Sequence, residues 1–320
     1  MIFPFLKGII SPLKVPATFL IVLVNVVIFL FCLETFDRSQ EQIEKILSDR
    51  EMIMTQGLIF SQFIETHPAD YRTLMKNVAQ KSLDGDLSAA HQMGGLAIRN
   101  SKFMKEALDF KPNGNDIEID KWRTHFKEIL ELQKNHPSYY LGLTDQHNAW
   151  TNWFSYQFTH SGFSHLFWNM VFLIMLGCFV ESEAGSGVLV FTYLSAGLFG
   201  AFTFSIFSGI SAIPLVGASA AISGLVGFAI FNQWNKKVDF FFWLLPIQNY
   251  FGFTKLPGWI LLVIFCLPDI AGQFSSVSEF GAIAYAAHIG GAIAGGFVGF
   301  LYKITASSEV VATTNTTTLD

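Results

Sequence analysis

The sequence predicts an all-α polytopic membrane protein with six transmembrane helices and a mainly helical, water-soluble insert between the first and the second. Three observations predict it. Hydrophobic residues make up 51% of the chain and 34 are Phe, while 14% are charged, against about 25% charged in a soluble domain. Of the 45 Asp, Glu, Lys and Arg residues, 32 fall between Glu34 and Asp145, which separates a soluble segment from a membrane body. Outside that segment, apolar runs close to the roughly 20 residues that cross a bilayer recur again and again.

The first run, Val15 to Leu33, follows a short N-terminus. It is too long for the apolar region of a signal peptide and has no A-x-A-like site after it, so it belongs to the mature protein. Residues 1–33 are therefore a cytoplasmic N-terminus and first helix. Residues 34–149 are the insert. There Asp37 to His67 reads as one long helix opened by the capping-type residues of S-Q-E-Q-I-E-K-I-L. Asp120 to Lys134 reads as another, with Trp122, Phe126 and Ile129 on one stripe. Gly85, Gly94, Gly95 and Pro112 to Gly114 mark turns between them. Two roles stay open for the insert: a solvated spacer or cap, or a surface that selects substrates and partners.

Five further runs make up the membrane core, residues 150–303: His160 to Val180, Gly187 to Phe207, Val216 to Phe231, Pro257 to Phe274 and Gly281 to Tyr302. Val238 to Tyr250 is too short, and too broken by Pro246, to span; it reads as interfacial or re-entrant. The Thr-rich tail, residues 304–320, reads as cytoplasmic and disordered.

Orientation follows from the lysines of the body, Lys7, Lys14, Lys236, Lys237, Lys255 and Lys303. With six spans all of them lie on one side, which the positive-inside rule makes the cytoplasm. The insert then lies outside, with the starts of the second, fourth and sixth helices. Cys32, Cys178 and Cys266 all sit in apolar runs and the insert has none, so no disulfide framework is implied. A bacterial inner membrane fits best; a eukaryotic membrane stays open.

Polar side chains in such runs are costly and point to function. Ser219 lies in V-G-A-S-A-A-I-S-G-L-V-G, His288 in A-Y-A-A-H-I-G-G-A-I-A-G-G, and His160, His165 and Asn169 in T-H-S-G-F-S-H-L-F-W-N-M. His165, Ser219 and His288 all fall within about two turns of outward helix starts, at about 1.5 Å per residue. On helical spacing His165 and Asn169 share a face, as do Ser219, Ser223 and Gly227. His288, Gly291, Gly295 and Gly299 share another, and small residues so spaced let membrane helices approach closely. A serine, a histidine and further donors at one depth suggest hydrolysis by a serine nucleophile. Metal chemistry is not expected: His160 and His165 are about 140° apart around a helix, unlike an i, i+4 zinc pair with its carboxylate. No cofactor or nucleic-acid partner is expected either.

These motifs resemble the rhomboid intramembrane serine proteases, over the first helix and about Trp150 to Lys303. The resemblance implies a six-helix rhomboid-like bundle in which Ser219, in G-A-S-A with Gly217, is the nucleophile and His288, in A-H-I-G-G, its base. It makes His165 and Asn169 side-chain donors of the oxyanion hole. It makes His160, Gly217 and Glu181 supporting residues, Glu181 with Gly185 and Ser186 falling at the family spacing. The expected mechanism is a Ser-His dyad without an aspartate, cleaving transmembrane segments of single-pass or polytopic membrane proteins near the extracytoplasmic face of the lipid bilayer. The chain departs from the family at Ala220, where a glycine usually follows the serine, and at Ser223, where an aromatic ring often stands. Thr151 and Asn152 lie near the place of a usual Trp-Arg pair. A catalytically silent rhomboid-like protein that binds membrane clients is the alternative. A small-solute transporter is disfavoured, because no pair of interrupted helices occupies corresponding halves.

Overall fold

A computed structural model of the chain describes residues 2–4, 13–145, 149–207, 212–243, 251–273 and 284–316. The elements run β1 (Ile2–Pro4), α1 (Pro16–Ser48), α2 (Arg50–Thr66), α3 (Thr73–Leu83), α4 (Leu87–Ala97), α5 (Ser101–Glu106), α6 (Asp116–Asn135) and α7 (Pro137–Leu141). They continue with α8 (Asn152–Ser155), α9 (Phe163–Ala184), α10 (Ser186–Phe207), α11 (Ser219–Gln233), β2 (Lys237–Trp243), β3 (Phe251–Pro257), α12 (Leu267–Gln273) and α13 (Tyr285–Thr316). Two compact units result, one holding Met1–Phe29, Trp153–Gly209 and Leu215–Asp320, the other Leu30–Asn152 and Ile210–Pro214.

The first unit is an apolar bundle. Among the described residues four helices are long and apolar enough to cross a membrane: Pro16–Ser48, Phe163–Ala184, Ser186–Phe207 and Tyr285–Thr305. Ser219–Gln233 and Leu262–Gln273 are apolar but shorter. The chain is an integral membrane protein. At the bundle centre glycine removes the Cβ atoms that would keep backbones apart. A Cβ on Gly291 or Gly295 of α13 would collide with the carbonyl oxygens of Ala220 and Gly224 in α11, and one on Gly227 with that of Ala292. The α11–α13 pair is thus held at backbone contact distance, the geometry that small-residue stripes permit.

The start of α1 is capped from another helix. Glu181 of α9 accepts the N–H groups of Ala17 and Thr18 at 2.9 and 2.8 Å, the Thr18 hydroxyl at 2.7 Å and the Ser186 hydroxyl at 2.6 Å. Those N–H groups have no partner inside their own helix, and a carboxylate at a helix start also complements its dipole.

Several local expectations change. The described part of the segment Val238 to Tyr250, expected to be interfacial or re-entrant, is a strand: β2 pairs antiparallel with β3 from Lys237↔Pro257 to Trp243↔Phe251, and β1 adds at its other edge, Ile2↔Phe242 to Pro4↔Phe240. Aromatic and β-branched residues favour this pairing; residues 244–250, with Pro246, lie outside the described ones. The fifth apolar run is interrupted: β3 takes its first residue, and Leu262–Cys266 is a single π-helical turn before α12. Pro268 has no N–H to donate, so the ladder widens just ahead of it. The long insert helix divides, because α1 runs on to Ser48 and Asp49 then caps α2 through the N–H groups of Glu51 and Met52, at 2.8 and 3.3 Å. Finally, α13 continues to Thr316, into the tail expected to be disordered; no Gly or Pro follows Gly299 to stop it. Residues 281–283, at the start of the sixth apolar run, lie outside the described ones.

The second unit is a helical domain with its own core. Phe60, Phe63, Phe103, Trp122, Phe126 and Ile129 are fully or almost fully buried together, each burial stabilising by about 1.5–3 kcal/mol. Phe63 meets Phe103 and Phe110 edge-on at 5.3 Å, the arrangement aromatic quadrupoles prefer. Gly94 and Gly95 lie inside α4 rather than in a turn. A Cβ on Gly94 would strike the Ile53 carbonyl and one on Gly57 the Ala90 carbonyl, so the two glycines let α2 and α4 touch. Gly85 and Gly114 do stand between helices with positive φ, 95° and 152°. Ala212, from the segment between α10 and α11, is buried in this core, and its N–H donates to Ser101 Oγ at 2.9 Å.

Candidate active site

Three helix starts supply the site. Ser219 is the first residue of α11, His165 the third of α9 and His288 the fourth of α13. Ser219 Oγ and His288 Nε2 are 2.9 Å apart, and both residues are partly exposed. The sharp approach to Ser219 is made by Gly217, whose φ of 111° suits glycine. Its N–H donates to the Tyr156 carbonyl at 2.9 Å, which fixes the turn.

His165 and Asn169 border the same turn. A Cβ on Gly217 would lie 2.8 Å from His165 Nε2 and 3.7 Å from Asn169 Nδ2, so the glycine's missing side chain leaves these two groups room beside the serine. His165 Nδ1 is 3.0 Å from Ser161 Oγ, and Asn169 Nδ2 donates to the His165 carbonyl at 2.9 Å. One Asn169 amide N–H is used there; the group has two. His160 is buried, and its ring meets that of His165 edge-on at 5.2 Å. Glu181 sits elsewhere in the unit, at the start of α1 as described above. Ser219, His288, His165, Asn169, Gly217 and His160 are thus brought together, and Glu181 is not.

The departure at Ala220 is accommodated by a neighbour. Its methyl group packs where a Cβ on Gly200 of α10 would stand, 2.8 Å away, so the volume added beside the serine is removed from the facing helix. Ser223 is half-buried on the next turn.

One group escaped the sequence reading. Asp269 of α12 places Oδ1 3.0 Å from His288 Nδ1, with both side chains about one-fifth exposed, 20% and 21%. The signal available in the sequence was a carboxylate inside an apolar run, which costs too much to be left unpartnered.

Residues 147–304 match the family model for the rhomboid domain. The chain carries a rhomboid domain. It is also similar to a protein of Arabidopsis thaliana, Inactive RHOMBOID-like protein 8, with 30% identity over 103 residues, which are 30% of this chain and 28% of that one. The chain therefore spans little more than a quarter of that relative's length. Among the described residues no group of His, Cys, Asp and Glu has the arrangement of a metal site.

Proposed function

We propose that the chain is an intramembrane serine endopeptidase that cleaves transmembrane segments of single-pass or polytopic membrane proteins. The observation that carries the reading is the 2.9 Å hydrogen bond between Ser219 Oγ and His288 Nε2 at the start of an apolar helix. His288 takes the hydroxyl proton as Ser219 Oγ attacks the scissile carbonyl; it then returns that proton to the departing amine as the peptide C–N bond breaks. Water attacks the acyl-enzyme by the same exchange and releases Ser219.

The tetrahedral oxyanion is held by His165, Asn169 and the first N–H groups of α11. With Ser161 donating to His165 Nδ1, the imidazole proton sits on Nε2, the edge that faces Gly217. The α11 start adds unpaired N–H groups and the positive end of a helix dipole. Donors fixed in advance and screened little by water supply several kcal/mol. His160 and Gly217 support this arrangement, and Glu181 ties α1 into the bundle.

On this reading the chain has six spans, with Ser219–Gln233 and Leu262–Gln273 as the shorter fourth and fifth, and both termini and the body lysines lie in the cytoplasm with the insert outside. A bacterial inner membrane is the compartment proposed. The site then opens near the extracytoplasmic face, where water reaches it.

A second reading, a silent rhomboid-like protein that binds membrane clients, is favoured by the name of the Arabidopsis thaliana relative, which calls that protein inactive. A fluorophosphonate probe on the purified chain separates the two. Labelling of wild type and none of Ser219→Ala, with cleavage of a transmembrane substrate in proteoliposomes lost in parallel, supports the peptidase. A folded wild type that neither labels nor cleaves leaves the client-binding reading.

A further inference from the structure

We propose that Asp269 is a positioning residue that holds His288 in the tautomer able to accept the Ser219 proton, so that the reaction runs on three linked side chains rather than two. The inference rests on the reading of Ser219 and His288 as nucleophile and base. Its geometry is a continuous line: Asp269 Oδ1 to His288 Nδ1 at 3.0 Å, then His288 Nε2 to Ser219 Oγ at 2.9 Å. A carboxylate can only accept at Nδ1. The Nδ1 proton is therefore fixed on the ring, and Nε2 is left with the lone pair that the hydroxyl needs.

The fold builds this contact with two devices. The π-helical turn Leu262–Cys266 inserts one residue into the ladder ahead of α12, with the Leu267 N–H reaching back to the Leu262 carbonyl. One extra residue turns everything after it by about 100° relative to a regular helix, which brings Asp269 onto the side that α13 occupies. One turn further on, Gly272 leaves room for the Tyr285 ring, whose atoms stand where a Cβ would be. Asp269 and Gly272 are three apart on α12 as Tyr285 and His288 are on α13, so the two pairs form successive rungs between the helices. Single π turns of this kind cluster at functional positions.

Two other carboxylates of the apolar unit are engaged elsewhere. Glu181 caps α1, and Glu183 lies 3.8 Å from Lys236. In the acylation step the Ser219 proton moves to His288 Nε2 while the Nδ1 proton stays on the ring. Asp269 keeps its hydrogen bond to Nδ1 and faces the imidazolium that forms. The proton leaves again from Nε2 to the amine nitrogen, which also takes the electron pair of the broken C–N bond.

The test compares wild type, Ser219→Ala, Asp269→Asn and Asp269→Glu as full-length protein in proteoliposomes. The readouts are kcat and KM for a transmembrane substrate, fluorophosphonate labelling rate, thermal midpoint, and 15N spectra of labelled histidine. Asp269→Asn is expected to lower kcat and labelling rate together, by about 10- to 100-fold, with KM and thermal midpoint close to wild type. Its His288 spectrum shifts away from the Nδ1-protonated tautomer. Asp269→Glu recovers part of the rate because it restores the acceptor. An inactive Ser219→Ala beside a fully active Asp269→Asn overturns this inference and leaves the peptidase reading standing. An active Ser219→Ala overturns that reading itself. Should cleavage be absent altogether, the histidine spectrum still decides: an unchanged tautomer in Asp269→Asn rejects the positioning role.

Discussion

Thr18 gives Glu181 both its N–H and its hydroxyl, at 2.8 and 2.7 Å, across 163 residues of sequence. The carboxylate also takes the Ala17 N–H and the Ser186 hydroxyl, so one buried charge closes the start of α1, the end of α9 and the start of α10. A residue in this position is structural in its direct effect.

Glu181→Ala is accordingly expected to destabilise the bundle by about 2–4 kcal/mol, since it leaves four donors without their acceptor. Glu181→Gln, which keeps a carbonyl oxygen, loses less. Thermal unfolding in detergent measures this, and turnover per folded molecule should stay near wild type. A mutant of normal stability and low turnover would place Glu181 in the chemistry instead.

Gly217→Ala is expected to reduce cleavage and fluorophosphonate labelling by about 10- to 100-fold, because sub-ångström displacement of reacting groups is costly. The new methyl meets His165 Cε1 and Nε2 at 2.7 and 2.8 Å, and the φ of 111° is strained for any residue with a side chain. Kinetics on the detergent-purified variant check this; an unimpaired Gly217→Ala would mean that the His165 ring can move without loss.

Much of this site was legible in the sequence because helix periodicity and span length act locally. Ser219, His165 and His288 sit at helix starts, where the apolar runs place them, and the spacing of Gly291 and Gly295 announces close helix contact. What stayed hidden depends on departures from regular geometry or on distant partners. The facing of Asp269 is set by a π turn, which a 3.6-residue wheel does not produce. The pairing of β2 with β1 joins Ile2–Pro4 to Phe240–Phe242, far apart in the sequence. The break at Asp49 was masked by an amphipathic pattern that runs through it, and Gly94 reads as a turn until Ile53 is seen packed against it.

In the helical domain, His136 is buried beside Phe36 and Tyr139, its Nδ1 accepts the Ser138 N–H at 3.2 Å, and burial lowers its pKa from 6.5 to about 4. The folded state thus binds a proton less readily than the unfolded one. Its stabilising effect is complete above about pH 6.5 and is lost as pH falls towards 4, at up to roughly 1.4 kcal/mol per pH unit. Hydrogen exchange of α6 and α7 in the full chain at pH 7.5 and 5 should show faster opening at the lower pH. His136→Phe should flatten that difference; an unchanged pH response would assign it to other groups.

Asn169→Ala tests the oxyanion reading most directly. Asn169 is buried, but its amide donates to the carbonyl of His165 one turn back in the same helix, a contact that ties no second helix into the bundle. Removing it should therefore leave the thermal midpoint within a few degrees of wild type. A donor aimed at the oxyanion acts in the transition state, so kcat should fall while KM changes little. Loss of one such donor costs about 10²- to 10³-fold where others do not compensate. Here His165 and the α11 N–H groups share the load, and the expected loss is about tenfold. Steady-state kinetics in liposomes, with unfolding measured on the same preparation, read both quantities. A variant that is destabilised yet turns over at the wild-type rate would return Asn169 to the packing of α9 and leave His165 as the side-chain donor.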